Sequence, residues 1–485
     1  MTGHPEQAPA GGGGLSPGVR GVALIAAMAL FMTFLDATII VTSLPQMSAS
    51  FAVTPVEMNL AITAYLLAMA AFVPLSGWFA ERFGAKRVFA AAIGLFSLAS
   101  MACALAPTLP FFVAGRIAQG LGGAMIVPVG RLIALRRAEG QEIVHATALI
   151  SWPALIAPVA GPVLGGAITT MLDWRWNFYI NAPLGLAAIV LVLVFVPDHR
   201  EETSRRLDLV GAMATGTALG VMIFALDRMA RPDADLGAVW LLLFALAAAC
   251  GAVLWFRSSG NPLLDLTLFR LPTFGVSTRD AGLLQLIAIS ATPFLIPLML
   301  QEVWGLSAFE AGLTLMAYFA GNLVMKTVTT PILRWLGFRT VIIGNGAFLA
   351  GTIAACGLLA PGFPHAAMIV LLFVAGAARS LQMTALNTLA FAEVPGHRRS
   401  SAATLATMMQ QLSLALGTAL AALCLKASLH WRGDAALDLV DFRQTFFALG
   451  VVATLGTIAA FRLSGEAGRH VSGHRARQAR GGQRK

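Results

Sequence analysis

The sequence predicts an all-α membrane protein of fourteen transmembrane helices, arranged as two six-helix bundles with two extra helices between them. Three observations carry this expectation. The first is composition: 58% of the 485 residues are hydrophobic and 12% are charged, whereas soluble domains carry about 25% charged residues. Mean hydropathy is +0.78. The second is the clustering of apolar residues into fourteen runs, each of about twenty residues, the helical length that crosses a hydrocarbon core of about 30 Å. Alternating ten-residue strands are absent from the sequence, which excludes a barrel. The third is a faint internal copy: a shift of 253 residues (318 − 65) places Leu60 on Leu313, Ala64 on Ala317, Tyr65 on Tyr318, Gly84 on Gly337, Lys86 on Arg339 and Val88 on Val341. Repeated halves suit a membrane protein that works by moving one half against the other.

The expected organisation follows the runs and the charged breaks between them. Residues 1–20 read as a Gly/Pro-rich tail without the basic start or cleavage site of a signal peptide. A first bundle covers 21–196 and a charged linker 197–207. Two further spans fill 208–256, a second linker 257–274, the second bundle 275–462, and a basic tail 463–485. An even number of spans puts both ends on one face. The 33 Lys and Arg residues concentrate on that face, so it is expected to be cytoplasmic. The net charge of +10 is then largely topological. The basic stretch 474–485 reads as solvated charge beside anionic lipid heads, and no nucleic-acid partner is expected. Cys103, Cys250, Cys356 and Cys424 all lie in apolar runs without metal-ligand spacing. They read as packing residues, and no metal, cofactor or disulfide framework is expected.

A short charged loop at 77–88 joins the second and third spans. It contains Gly77, Glu81, Arg82, Gly84, Lys86 and Arg87. Gly84 permits a sharp reversal, and the acid and cations can pair across the helix ends. In the first span Asp36 stands among apolar residues, about 24 Å along the helix from Arg20 at 1.5 Å per residue. An acid at the centre of a span costs about 2.5–3.5 kcal/mol on insertion scales. Such a carboxyl can take a proton from one side and release it to the other, or serve as a buried hydrogen-bonding group. In the fourth span Arg116 stands among apolar residues, with Gln119 and Gly120 near the same face. A guanidinium keeps its proton, so it can hold an anion or pair with an acid but not carry the proton itself. In the fifth span Gly161, Pro162, Gly165 and Gly166 allow close helix approach and a bend. Trp174, Arg175 and Trp176 open the sixth span at an interface position, ahead of Asn181 and Pro183.

These segments together resemble the major facilitator superfamily. The loop is similar to that superfamily's signature between helices two and three, with Glu81 where Asp is usual. Arg116-x-x-Gln119-Gly120 resembles its fourth-helix motif, which that family uses in proton transfer. The Leu35-Asp36-x-Thr38 segment, Gly161-Pro162-x-x-Gly165-Gly166 and the Trp174-to-Pro183 segment resemble the fourteen-helix drug:proton antiporters of the EmrB/QacA group. The likeness covers 21–196 well and the second half less specifically.

The resemblance implies the major facilitator fold and alternating-access export of small amphiphiles driven by inward proton flow. Asp36 and Arg116 would couple the proton. Residues 77–87 would form a cytoplasmic latch, and the Gly161 to Gly166 segment the antiporter helix. Polar residues of the spans supply candidates for the substrate cavity: Gln119, Tyr318, Asn322, Arg379, Gln382, Gln410 and Gln411. Asp36 is the one acid placed deep in the bundle, so a neutral, anionic or weakly basic substrate is expected rather than a dication. The setting implied is a bacterial cytoplasmic membrane, with the lipid bilayer, protons and the small-molecule substrate as partners and a periplasmic adaptor as a further candidate. The rival reading is an exporter of one metabolite, such as an organic acid or chelate; a more distant one is a sensor or scaffold on the same fold. The eight histidines lie in loops and tails, unpaired with acids or nucleophiles, and no phosphate-binding Gly-rich loop is present. An enzyme or an ATP-driven pump is therefore not expected.

Overall fold

The computed structural model describes residues 16–136, 141–198, 207–230, 236–260, 262–395, 398–434 and 436–468. The terminal tails beyond these and most of the 197–207 linker lie outside the described residues. Every regular element is a helix, with no strand among the described residues. Among the described residues thirteen helices are long and apolar enough to cross a bilayer: α1 (Gly18–Ser50), α2 (Pro55–Phe83), α3 (Ala85–Ala104), α4 (Leu109–Leu135), α6 (Trp176–Phe195), α7 (Leu209–Leu226), α8 (Leu236–Ser258), α9 (Pro272–Glu302), α10 (Ala308–Leu336), α11 (Phe338–Cys356), α12 (His365–Ala392), α13 (Ser401–Arg432) and α14 (Leu439–Arg462). Between α4 and α6 runs α5 (Gln141–Met171), which carries Pro153, Pro158 and Pro162. Its apolar stretch Ile156–Met171 is shorter than the others.

Prolines and short polar turns shape the spans. In α1 a 3-10 turn at Ile40–Ser43 precedes Pro45, which cannot donate to the preceding turn. The Thr42 carbonyl near that turn accepts from Gln301 Nε2 of α9 at 3.0 Å. Thr54, Ser307 and Asp438 open α2, α10 and α14 with capping boxes closed by Glu57, Glu310 and Asp441. At the start of α9 the backbone widens into a π-turn over Val276–Asp280. There Arg279 pairs with Asp280 at 2.8 Å.

The internal copy is visible in the backbone. Gly84 (φ 88°) reverses the chain between α2 and α3, and Gly337 (φ 76°) does so between α10 and α11. Both occupy a region that side chains with a Cβ rarely adopt. α7 packs on α8, on α2 of the first bundle and on α13 of the second. The extra pair therefore lies at the seam, outside both bundles. An apolar lateral groove of about 730 Å³ opens between α2, α4 and α7, with Glu57 at its rim.

The face holding the ends of α1 and α14 is called here the terminal face, and the opposite one the distal face. Among the described residues, the side-chain hydrogen bonds joining the bundles fall in the distal half or at mid-depth. Gln46 Nε2 donates to Gln301 Oε1 at 3.0 Å and Asn59 Nδ2 to the Thr418 carbonyl at 3.1 Å. Gln411 Nε2 approaches Met69 Sδ at 3.2 Å. The other seam joins α5 to α10 through bare backbone. A Cβ on Gly166 would sit 2.3 Å from the Ala308 carbonyl oxygen, and one on Gly312 would sit 2.3 Å from that of Pro162. The bundles are thus stitched together at their distal ends.

Candidate functional site

Asp36 and Arg116 come together inside the first bundle. Each is 1% exposed. Arg116 Nη1 donates to Asp36 Oδ2 at 2.6 Å and to Gln119 Oε1 at 2.7 Å. Gln119 Nε2 and Asn181 Nδ2 each donate to Asp36 Oδ1 at 3.0 Å. Asn181 Nδ2 also donates to Ser100 Oγ at 2.8 Å, and Ser100 Oγ to the Phe178 carbonyl at 3.1 Å. The Arg116 guanidinium lies over the Tyr65 ring at 4.3 Å. Five helices contribute: α1 the acid, α4 the cation and one amide, α6 the other amide, α3 the serine and α2 the aromatic face.

The chemistry follows from the donors. An ionised carboxylate only accepts hydrogen bonds, and every partner of Asp36 here donates. The set is drawn for the carboxylate with Arg116 as its counter-charge. Removing one partner of a buried pair leaves an uncompensated charge, which costs about 3–5 kcal/mol. Close helix packing builds the pocket. A Cβ at Gly120 would meet the Tyr65 carbonyl at 2.6 Å, and one at Gly115 would meet Cys103 Sγ at 2.7 Å.

The α5 glycines press against α1 near the acid. A Cβ on Gly161 would lie 2.2 Å from Thr38 Oγ1, and one on Gly165 would lie 2.2 Å from the Ile39 carbonyl. Thr42 Oγ1 donates to the Pro162 carbonyl at 3.2 Å. One face of α5 therefore grips the Asp36 helix, while Gly166 touches α10 across the seam.

In the loop, the expected pairing within 77–87 is not what forms. Lys86 Nζ donates to the Leu193 carbonyl at 2.8 Å, where a cation suits the carbonyl-rich end of α6. Arg87 Nη2 pairs with Asp198 Oδ2 at 3.2 Å. Glu81 and Arg82 make no ion pair among the described residues, and Gly77 has open space around it. The loop is tied to the end of the sixth helix rather than across its own turn, because that carbonyl end and Asp198 lie within the reach of its cations.

The cavity candidates separate into two sets. Gln119 and Gln382 are wholly buried and engaged in helix-to-helix bonds. Gln382 Nε2 donates to Gln285 Oε1 at 2.6 Å and to the Ile342 carbonyl at 3.0 Å, while Asn345 Nδ2 donates to Gln382 Oε1 at 2.7 Å. These two amides hold helices together and do not line open space. Tyr318 is buried beneath Arg379, whose guanidinium lies 5.6 Å from the ring centre. Asn322, Arg379, Gln410 and Gln411 are half-buried.

Sequence reasoning singled out neither Asn181 nor Ser100 nor the Gln285–Gln382 pair for the site. Asn181 carried a signal, a polar group inside an apolar run. The second pair had one too: Arg379-x-x-Gln382 repeats Arg116-x-x-Gln119.

The two bundles, the seam helices and a charged cluster inside one bundle define a polytopic membrane transporter. The model of the Major Facilitator Superfamily matches residues 26–292 and 281–481. The chain belongs to that superfamily. It is similar to the protein MdtD of Serratia proteamaculans, named for multidrug resistance, at 35% identity over 450 residues, covering 90% of this chain and 92% of that one. The MdtD of Klebsiella pneumoniae subsp. pneumoniae is 31% identical over 461 residues, covering 94% and 97%. Among solved structures, the inward-open xylose transporter XylE of E. coli superposes with a TM-score of 0.60 at 15% identity, covering 94% of this chain and 99% of that one. The peptide-transporter-family protein PepTSo superposes with 0.69 at 12%, covering 92% and 97%. Both share the fold. The superfamily membership makes this a transporter and not an enzyme.

Proposed function

We propose that the protein is a proton-coupled exporter of small amphiphilic compounds, working by alternating access across a bacterial cytoplasmic membrane with both termini inside. The observation that carries the reading is the buried Asp36–Arg116 pair with its three donors. With the termini in the cytoplasm, the stitched distal ends correspond to an inward-facing state. Opening the distal side would hydrate the α1–α4 junction. A proton arriving on an Asp36 carboxylate oxygen would cancel the attraction to Arg116 and free α1 and α4 to separate. Return of the proton to the cytoplasm would restore the pair. The α5 glycines would let α1 slide, and 77–87 would steady the inner end. The names of the relatives support drug-like cargo, and the scarcity of acids inside the bundles favours neutral, anionic or weakly basic molecules over dications.

The test is transport in inverted vesicles energised by a pH gradient, with anionic, neutral and weakly basic dyes as probes. Wild-type protein is expected to move at least one of them in a gradient-dependent way, and Asp36→Asn to fall to background. Gradient-driven movement undiminished in Asp36→Asn would remove the carboxyl from this role. A second reading, export of one organic anion, is favoured by the unpaired Arg379. A narrow substrate range in competition assays would select it. A periplasmic adaptor remains a candidate partner, checked by co-purification from cross-linked cells.

A further inference from the structure

We infer that Arg379 of α12 and Lys326 of α10 form a seat for the anionic group of the transported molecule, on the second bundle. The inference rests on the exporter reading and deepens it. It begins with a contrast between two arginines in matching motifs. Arg116 is paired with Asp36 at 2.6 Å. Arg379 makes no hydrogen bond or ion pair among the described residues, and its Nε is buried without a partner. Its guanidinium carbon lies 5.6 Å from the ring centres of both Tyr318 and Phe319.

Lys326 sharpens the point. It sits two helical turns beyond Tyr318 on the same face as Asn322. It is exposed. It lies ten residues (336 − 326) from the terminal-face end of α10, or about 15 Å at 1.5 Å per residue. α10 and α12 thus each bring one cation to the helix pair, and neither is ion-paired among the described residues. Like charges in a low-dielectric region repel strongly, and charged groups inside a membrane protein call for partners. Of the acids of the second bundle, Asp280 is engaged with Arg279, Glu310 with Ser307, Glu393 with Thr273 and Asp441 with Arg432, and Glu302 ends α9 at the opposite face from Lys326.

Close backbone packing fixes the seat. α10 and α12 cross where a Cβ on Gly376 would stand 1.8 Å from the Tyr318 carbonyl and one on Gly321 would stand 1.9 Å from that of Phe373. Arg379 projects one turn beyond this crossing, with the Tyr318 ring as its floor. A sulfonate, carboxylate or phosphate would take the two cations' hydrogen bonds.

The experiment measures thermal unfolding of the purified full-length protein in phosphatidylcholine nanodiscs at fixed ionic strength. The probes are naphthalene-2-sulfonate and the matched naphthyl trimethylammonium cation. The sulfonate is expected to raise Tm, and the ammonium is not. Arg379→Gln should weaken the apparent sulfonate affinity by roughly ten- to a hundredfold, the scale of hydrogen bonds to a charged group. Lys326→Gln should weaken it less, and Arg379→Lys should retain part of it. A merely structural Arg379 would instead lower the Tm of the ligand-free Arg379→Gln protein. The proposal is overturned if the sulfonate stabilises wild type no more than the ammonium does, or if its effect survives both substitutions. A further arm adds phosphatidylglycerol to the discs. An unchanged sulfonate shift supports a cargo seat, and its abolition assigns the seat to a lipid headgroup and overturns the cargo assignment. No proton gradient is applied, so a failure here leaves Asp36 in its proposed role, while gradient-driven efflux undiminished in Asp36→Asn, with the sulfonate shift retained, would sink that role alone.

Discussion

The two bundles are built on one plan and differ in what occupies the same kind of position. In the first, a carboxylate, a guanidinium and two amides lock α1, α4 and α6 together. In the second, Gln285 of α9 meets Gln382 of α12 and Asn345 of α11, with Thr457 of α14 at 3.4 Å from Gln285. Both clusters tie the first, fourth and further helices of a bundle. Only one of them contains a group that can change charge. The buried acid of the second bundle, Asp441, is held at the distal end of α14 by Arg432, with two bonds of 2.6 and 2.9 Å. The lesson is a difference in charge: one half is locked by a buried ion pair with amide donors, and the other by neutral amides alone.

The largest expected effect breaks the first lock. Arg116→Leu leaves Asp36 buried without its cation and should cost about 3–5 kcal/mol, read from chemical unfolding in detergent. Adding Asp36→Asn to that variant should restore part of the loss. Gln382→Leu should cost less, about 1–3 kcal/mol, because it orphans neutral amides; equal losses in the two halves would erase the contrast.

The seam gives an intermediate effect. Gly166→Ala places a methyl against the Ala308 backbone, and overpacking of this kind costs about 1–3 kcal/mol. The bundles should then part at the distal face, read as increased labelling of a cysteine placed at Gln46. Unchanged labelling would show that the close approach does not control closure.

The smallest expected effect is at the linker before α9, outside the membrane. Burial pushes the Asp265 carboxyl up, but hydrogen bonds from Thr267 and Arg398 outweigh it and hold it below the ordinary carboxylate range. A carboxyl held low stabilises the fold above its unfolded-state value and loses that contribution as pH falls through its folded value. Acidification should therefore weaken wild type slightly more than Asp265→Asn, a difference visible in Tm against pH and screened by salt.

Much of this was legible in the sequence, for reasons of scale. A twenty-residue apolar run has one stable form in lipid, so the helices could be read one by one. α5 carries three prolines and has the shortest apolar stretch of the spans. Gly84 and Gly337 could be paired because a reversal that tight requires a residue without a Cβ. Asp36 and Arg116 stood out as charges in oil. Their bond did not, since 80 residues separate them and nothing in the chain says which helix faces of α1 and α4 meet. Glu81 was matched to the nearest cations in sequence, while the folded chain offered Lys86 a carbonyl 107 residues away. Gln382 was read as a cavity group for the same reason: a polar residue in a span can face water or another helix, and only packing decides.

The central claim is that Asp36 is the group that changes charge. Infrared difference spectroscopy of the purified protein between neutral and acidic pH tests it directly. The account predicts that part of the wild-type protonated-carboxyl band is lost in Asp36→Asn and kept in Gln382→Leu. A band of the same intensity in Asp36→Asn would contradict it.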